Sequence, residues 1–172
     1  MYCVCILKLN FAGGTMKNKI SLYIISVLCT LAVGGLSALL TAGNMELYQD
    51  IVRPPLAPPA FLFPIVWTIL YTVMGIGAAA VYTSGAPVAA RDSAMRAYAV
   101  QLTFNFLWSI IFFNMRAYLL AFVWLFILWL LILDMIKKFI KVAPWAGYIQ
   151  LPYLLWVTFA GYLNLMIYIL NR

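Results

Sequence analysis

Five long stretches of this chain contain no charged side chain at all: Ile20 to Ala42, Pro54 to Ala90, Ala97 to Met115, Ala117 to Leu133 and Val142 to Asn171. A helix needs about 20 apolar residues to cross the hydrocarbon core of a bilayer, and about 17 suffice. Strands of membrane barrels are only about 10 residues long and alternate in polarity, so these stretches read as helices. A helix also satisfies its own backbone polar groups, which hydrocarbon demands. The expected fold class is all-α, a five-transmembrane-helix bundle. Its spans fall at about 20–42, 60–82, 97–115, 117–136 and 144–170 within a single domain, 16–172.

Composition agrees. The chain is 67% hydrophobic and 9% charged, whereas a soluble domain carries about 25% charged residues. It has no His. That excludes His-based triads, zinc hydrolases and His-ligated haem, and it removes the usual general base at neutral pH. The net charge of +7 does not imply nucleic acid, because basic residues beside apolar spans are ordinary in membrane proteins. Cys3, Cys5 and Cys29 are too few and too scattered for a disulfide framework. Cys3 and Cys5 have no further ligands nearby, so no metal site is expected.

The connections are informative. Arg116 alone separates spans three and four, which should form a tight antiparallel pair. Thr83 to Arg96 joins spans two and three, and Asp134 to Lys141 joins four and five. The segment 43–59 carries Glu46, Asp50 and Arg53, then Pro54, Pro55, Pro58 and Pro59. Those prolines forbid a regular helix and stiffen the segment, which is expected to form a lid loop over one end of the bundle. Met16-Lys17-Asn18-Lys19 before an apolar run is how a membrane protein often begins, so residues 1–15 are expected to be a disordered extension.

Five spans place the N-terminus on the same side as connections two–three and four–five. Lys8, Lys17, Lys19, Arg91, Arg96, Lys137, Lys138 and Lys141 lie there, against Arg53, Arg116 and Arg172 on the other side. The positive-inside rule then makes the N-terminus cytoplasmic and turns the lid loop outward. A bacterial plasma membrane is expected, with the mitochondrial outer membrane as the alternative.

No ionisable side chain lies well inside a span, which argues against a proton-coupled pump. Amides and rings remain. Gln101, Asn105, Trp108 and Phe112 fall on one face of span three. Phe63, Trp67, Tyr71 and Met74 do so on span two, and Tyr153, Trp156, Ala160 and Asn164 on span five. An unpaired amide in hydrocarbon is costly, so Asn105 and Asn164 should face the interior and bring their rings with them. The plainer account is that the amides pair across helices and the rings only pack. Yet Trp67, Trp108 and Trp156 lie well inside spans, where an interfacial belt would not put them; Trp145 fits the belt. An interior lined by indole and phenol rings suits a flat, apolar, polarizable ligand. On span one, Gly34, Ala38 and Ala42 recur at every fourth residue. They would allow close approach of a neighbouring helix in the same chain, or of a second copy.

The segment Pro58-Pro59-Ala60-Phe61-Leu62-Phe63-Pro64-Ile65-Val66-Trp67-Thr68-Ile69-Leu70-Tyr71 resembles the P-P-x-W-V-F-P-x-x-W-T-x-L-Y signature of the TspO/translocator protein family. Its members are also called tryptophan-rich sensory proteins or peripheral benzodiazepine receptors. Asn105-Phe106-Leu107-Trp108 with Phe112-Phe113 resembles its N-x-x-W-x-x-x-F-F segment. Pro152 to Ala160 with Leu163-Asn164 resembles its P-Y-x-x-W-x-x-F-A…L-N segment.

The resemblance implies a five-helix bundle, usually a homodimer, with a pocket under the loop joining the first two helices. It implies that the pocket takes protoporphyrin IX or another tetrapyrrole, benzodiazepine-like and isoquinoline drugs and, in animal members, cholesterol. No cofactor is required. By position, the implied ligand-binding residues are Tyr48, Pro58, Trp67, Tyr71, Asn105, Trp108, Trp156 and Ala160. Some bacterial members break down protoporphyrin in light, which makes Trp67 and Trp156 the candidate catalytic residues. Leu56 and Phe61 stand where the family often has tryptophans. A cholesterol-recognition pattern can be read at Leu165, Tyr168 and Arg172, but interface anchoring alone explains those residues, and a sterol partner is not expected. A small-molecule transporter is the remaining alternative. Five spans do not divide into equal halves, and no internal repeat supports alternating access.

Overall fold

A computed structural model describes residues 16–45 and 51–172. The expected extension 1–15, and Tyr48 with it, lie outside the described residues. Most of the described residues are helical: α1 Met16–Met45, α2 Leu62–Tyr82, α3 Val88–Ser109, α4 Tyr118–Val142, the short α5 Pro144–Tyr148, and α6 Leu151–Leu170. A π-helical turn, Ile110–Asn114, extends α3. Among the described residues there is no strand.

Four segments are long and apolar enough to cross a membrane: Asn18–Asn44, Leu62–Tyr82, Tyr118–Val142 and Pro144–Leu170. The third expected span is not among them. Its helix starts at Val88 rather than near 97, and so takes in Arg91, Asp92 and Arg96 as well as Gln101 and Asn105. Long enough by itself, α3 is more polar than its neighbours because it carries these charges as well as the amides on which the helices meet.

Prolines mark the starts. Pro54, Pro55, Pro58 and Pro59 keep 51–61 out of regular helix. Pro144 opens α5 and Pro152 lies in the first turn of α6, positions where a missing N–H costs nothing. The stretch Asp134 to Lys141 is not the connection it was expected to be. It forms the last turns of α4, closed by an i,i+4 ion pair of Lys138 Nζ with Asp134 Oδ2 at 2.6 Å. The actual link is Ala143, in extended backbone, followed by α5. Arg91 reaches back from α3 to cap α2, its Nη1 donating to Tyr82 O at 3.0 Å.

The helices pack through small residues and paired polar groups. Gly75 of α2 lies on α1, where a Cβ would fall 2.6 Å from Val27 Cα. Beside it, Ser26 Oγ donates to Gly75 O at 2.8 Å. Thr30 Oγ1 and Tyr98 Oη share a hydrogen bond of 2.6 Å between α1 and α3. The expected antiparallel pair α3–α4 meets along its length: Tyr98 on Phe139, Phe104 stacked on Trp124, Phe112 against Tyr118. Arg116, in the turn between them, has a positive φ of 51°. Met74, Leu128, Ile132, Met135, Phe139 and Tyr153 form the closed core toward the α5 end.

Candidate ligand cavity

Above that core the bundle is hollow. A cavity of about 510 Å³ lies between α1, α2, the end of α3 and α6, below the proline-rich segment. Its walls follow from helical period. On α2, Phe63, Trp67 and Tyr71 recur every fourth residue; on α6, Trp156, Ala160, Leu163 and Ile167 form one stripe. Trp108 near the end of α3 and Phe112 in the π turn do the same, and the π turn adds Phe113.

The rings brace one another. Trp67 tilts over Tyr71 with centroids 5.4 Å apart and meets Tyr153 edge-on at 6.4 Å. Phe63 meets Trp156 edge-on at 6.0 Å across the space between α2 and α6. Trp108 stacks on Phe112 at 5.3 Å.

Beneath the rings runs a buried polar chain. Tyr71 Oη donates to Asn105 Oδ1 at 2.7 Å, Asn105 Nδ2 donates to Tyr153 Oη at 2.9 Å, and Tyr153 Oη donates to Gln101 Oε1 at 2.9 Å. It ties α2, α3 and α6 together at the cavity floor. A second tie runs from Trp108 Nε1 to Asn164 Oδ1 at 3.2 Å, with Asn164 Nδ2 donating to Tyr118 O at 2.8 Å. Both buried amides expected to face inward do so, and both are hydrogen-bonded.

Of the residues expected at a binding site, Trp67, Tyr71, Trp108, Trp156 and Ala160 line the cavity. Asn105 lies behind the wall, positioning Tyr71. Pro58 is not part of the wall. Tyr48 lies outside the described residues. Sequence reasoning missed the α1 face: Gly34, Ser37, Ala38 and Thr41. Ser26, Thr30, Gly34, Ser37 and Thr41 do recur at intervals of three or four within an otherwise apolar helix, a spacing that marks one face but not what that face meets. Gly34 gives way to the Tyr71 ring, which a Cβ would strike. The small-residue stripe of α1 is thus occupied, at Gly34, by a neighbour in the same chain.

Among the described residues Arg53 is the one charged side chain in the wall. Trp108, Trp124 and Trp129 commit their indole N–H groups to Asn164, Phe104 O and Thr158. No hydrogen bond to a described residue holds the indoles of Trp67 and Trp156. Among the described residues the wall carries no carboxylate, thiol or lysine, and these residues offer no acid–base pair. It can enclose a flat apolar body against rings and meet an anionic substituent at Arg53. Trp145, half-exposed on α5, lies away from it.

Comparison with known proteins agrees with the motifs. A model of the TspO/MBR family matches residues 26–170. The chain is 39% identical over 124 residues to the tryptophan-rich protein TspO of Chlorobaculum tepidum, covering 72% of this chain and 78% of that protein. It is 32% identical over 151 residues to protein CrtK of Rhodobacter capsulatus, covering 88% and 91%. With the translocator protein of Bos taurus it shares 31% identity over 133 residues, covering 76% and 79%.

Proposed function

Because the chain belongs to the TspO/MBR family, we propose that it is an integral membrane receptor or carrier that binds porphyrin-type ligands, and benzodiazepine- or isoquinoline-like molecules, in the cavity of its helix bundle. The observation that carries this reading is the cavity wall, where Trp67, Trp108 and Trp156 from three helices converge. A tetrapyrrole is flat, apolar and polarizable, and each stacked ring adds about 0.5–1.5 kcal/mol beyond burial of area. Its carboxylates would lie toward Arg53. In this reading all five long helices cross the bilayer, α3 included, with a cytoplasmic N-terminus in a bacterial plasma membrane. The family resemblance adds a homodimer.

The chain has no His, so iron would lack its commonest axial ligand. Metal-free protoporphyrin IX should therefore bind at least as tightly as haem. Titration of both against tryptophan fluorescence of the purified protein is the test. No saturable quenching by protoporphyrin IX refutes the reading, and much tighter haem binding refutes its account of the wall.

A second reading is favoured by the indoles of Trp67 and Trp156, which face the cavity without a hydrogen bond to a described residue. They would be the oxidisable side chains nearest an excited porphyrin in the presence of oxygen. Illumination with protoporphyrin IX would then yield a new absorbing product, lost in Trp67→Phe and Trp156→Phe; an unchanged spectrum leaves binding alone.

A further inference from the structure

The cavity has an open side. α1 and α2 are in close contact at Gly75, against the Val27 backbone, and at Gly34, against the Tyr71 ring. Nearer the proline-rich segment, the lining residues Ala38, Ala60 and Pro64 are small, and all three are exposed. On the opposite wall, the lining residues of α6 are buried or half-buried. The wall is therefore incomplete between α1 and α2 above their crossing. Both helices are long and apolar enough to cross a membrane, so the medium against this window is acyl chain rather than water. Behind it, Thr41 turns its hydroxyl onto Ser37 O at 2.9 Å, and Asn164 is satisfied by Trp108 and Tyr118. Apart from Arg53 and the indole N–H groups of Trp67 and Trp156, the described lining is mostly apolar, and left empty it loses contact energy along that apolar surface.

We propose that a phospholipid acyl chain enters through the window formed by Ala38, Ala60 and Pro64 and occupies the cavity until a guest displaces it. The proposal rests on the reading that α1 and α2 cross a bilayer. It requires nothing of the tetrapyrrole reading beyond the cavity itself. One consequence is that guest affinity is a difference between two occupants and depends on the chains supplied.

The probe is a phosphatidylcholine carrying a diazirine at the end of one acyl chain, mixed into phosphatidylcholine bilayers around the full chain. After illumination, labelled residues are mapped by mass spectrometry. Label is expected on the deep residues Trp67, Phe112 and Leu163, as well as on the outward Ile69 and Leu155. Narrowing the window with Ala60→Trp, or with Ala38→Trp, should remove the deep label and keep the outward label. Retained outward label also shows that the variant is folded and inserted. Label confined to outward residues in the unaltered chain overturns the proposal. Deep label that persists in both variants overturns the route. No porphyrin is used, so failure of porphyrin binding is a separate result.

Discussion

Trp67 and Trp156 touch the cavity from opposite walls, and each is held by two rings, with no hydrogen bond to a described residue. Replacing either with Ala removes one stacking surface for a flat guest and loosens the ring beside it. Affinity for protoporphyrin IX should fall by at least about 1 kcal/mol, roughly fivefold in Kd, in each variant. Trp145→Ala should leave the Kd unchanged, and equal losses at all three positions would contradict the assignment of the wall. Gly34 and Gly35 make a second contrast. A Cβ at Gly34 strikes the Tyr71 ring, while at Gly35 it meets nothing within 4 Å. Gly34→Ala should push Tyr71 off Asn105 and cost about 1–3 kcal/mol. Gly35→Ala should be neutral or stabilise α1 by up to about 1 kcal/mol. Thermal unfolding in detergent separates the two. The cavity rings were legible in the sequence because a 3.6-residue period and a costly amide fix which face turns inward. The α1 wall was not, because Ser37 and Thr41 can satisfy themselves locally in a helix. Thr41 does so, and an apolar span carrying such residues looks the same whether it faces lipid or a cavity.

At the scale of elements, the proline-rich segment is fastened to α6. Asn171 Oδ1 accepts from Val52 N–H at 2.9 Å, and Asn171 Nδ2 donates to Val52 O at 3.1 Å. Tyr162 Oη donates to Pro55 O at 3.0 Å. Just after Pro55, Leu56 holds a φ of 69°, a conformation disfavoured for a side chain of its kind. Asn171 does not line the cavity, so its removal should alter passage rather than fit. With two bonds of about 0.5–1.5 kcal/mol each lost, Asn171→Ala should raise both the association and dissociation rates of protoporphyrin IX by roughly tenfold. The Kd should stay nearly constant. Stopped-flow fluorescence reads all three, and rates that do not move would show that the segment is no barrier. The sequence identified this loop through its prolines, but not its fastening, since no local pattern links Val52 to Asn171. It also misplaced the end of α4. A run of charges suggests a connection, whereas Asp134 and Lys138, four residues apart, stabilise the helix they belong to.

For the whole molecule the open question is α3, the one long helix too polar to qualify as a span by its composition. Composition is a poor guide there, because it weighs residues that never meet lipid. Gln101 and Asn105 are buried and hydrogen-bonded to Tyr153 and Tyr71, which removes most of the penalty they would carry in hydrocarbon. Thr103 and Val100, on the exposed face, are uncharged. Arg91 and Arg96 sit at the start of α3, at the end of the bundle where Lys137 and Lys141 close α4. The decisive constraint is the partner. α3 and its π turn lie antiparallel to α4 from the Tyr98–Phe139 pair to the Phe112–Tyr118 pair, and α4 is long and apolar enough to cross. We propose on this ground that α3 crosses together with α4. Five crossings put the two chain ends on opposite faces of the membrane; four would put them on the same face. Reporters fused in turn to the N- and C-terminus, one active only in the cytoplasm and one only outside it, should give opposite answers at the two ends, with the N-terminus cytoplasmic. The same answer at both ends would mean that α3 does not cross, and the cavity would then lie partly outside the bilayer.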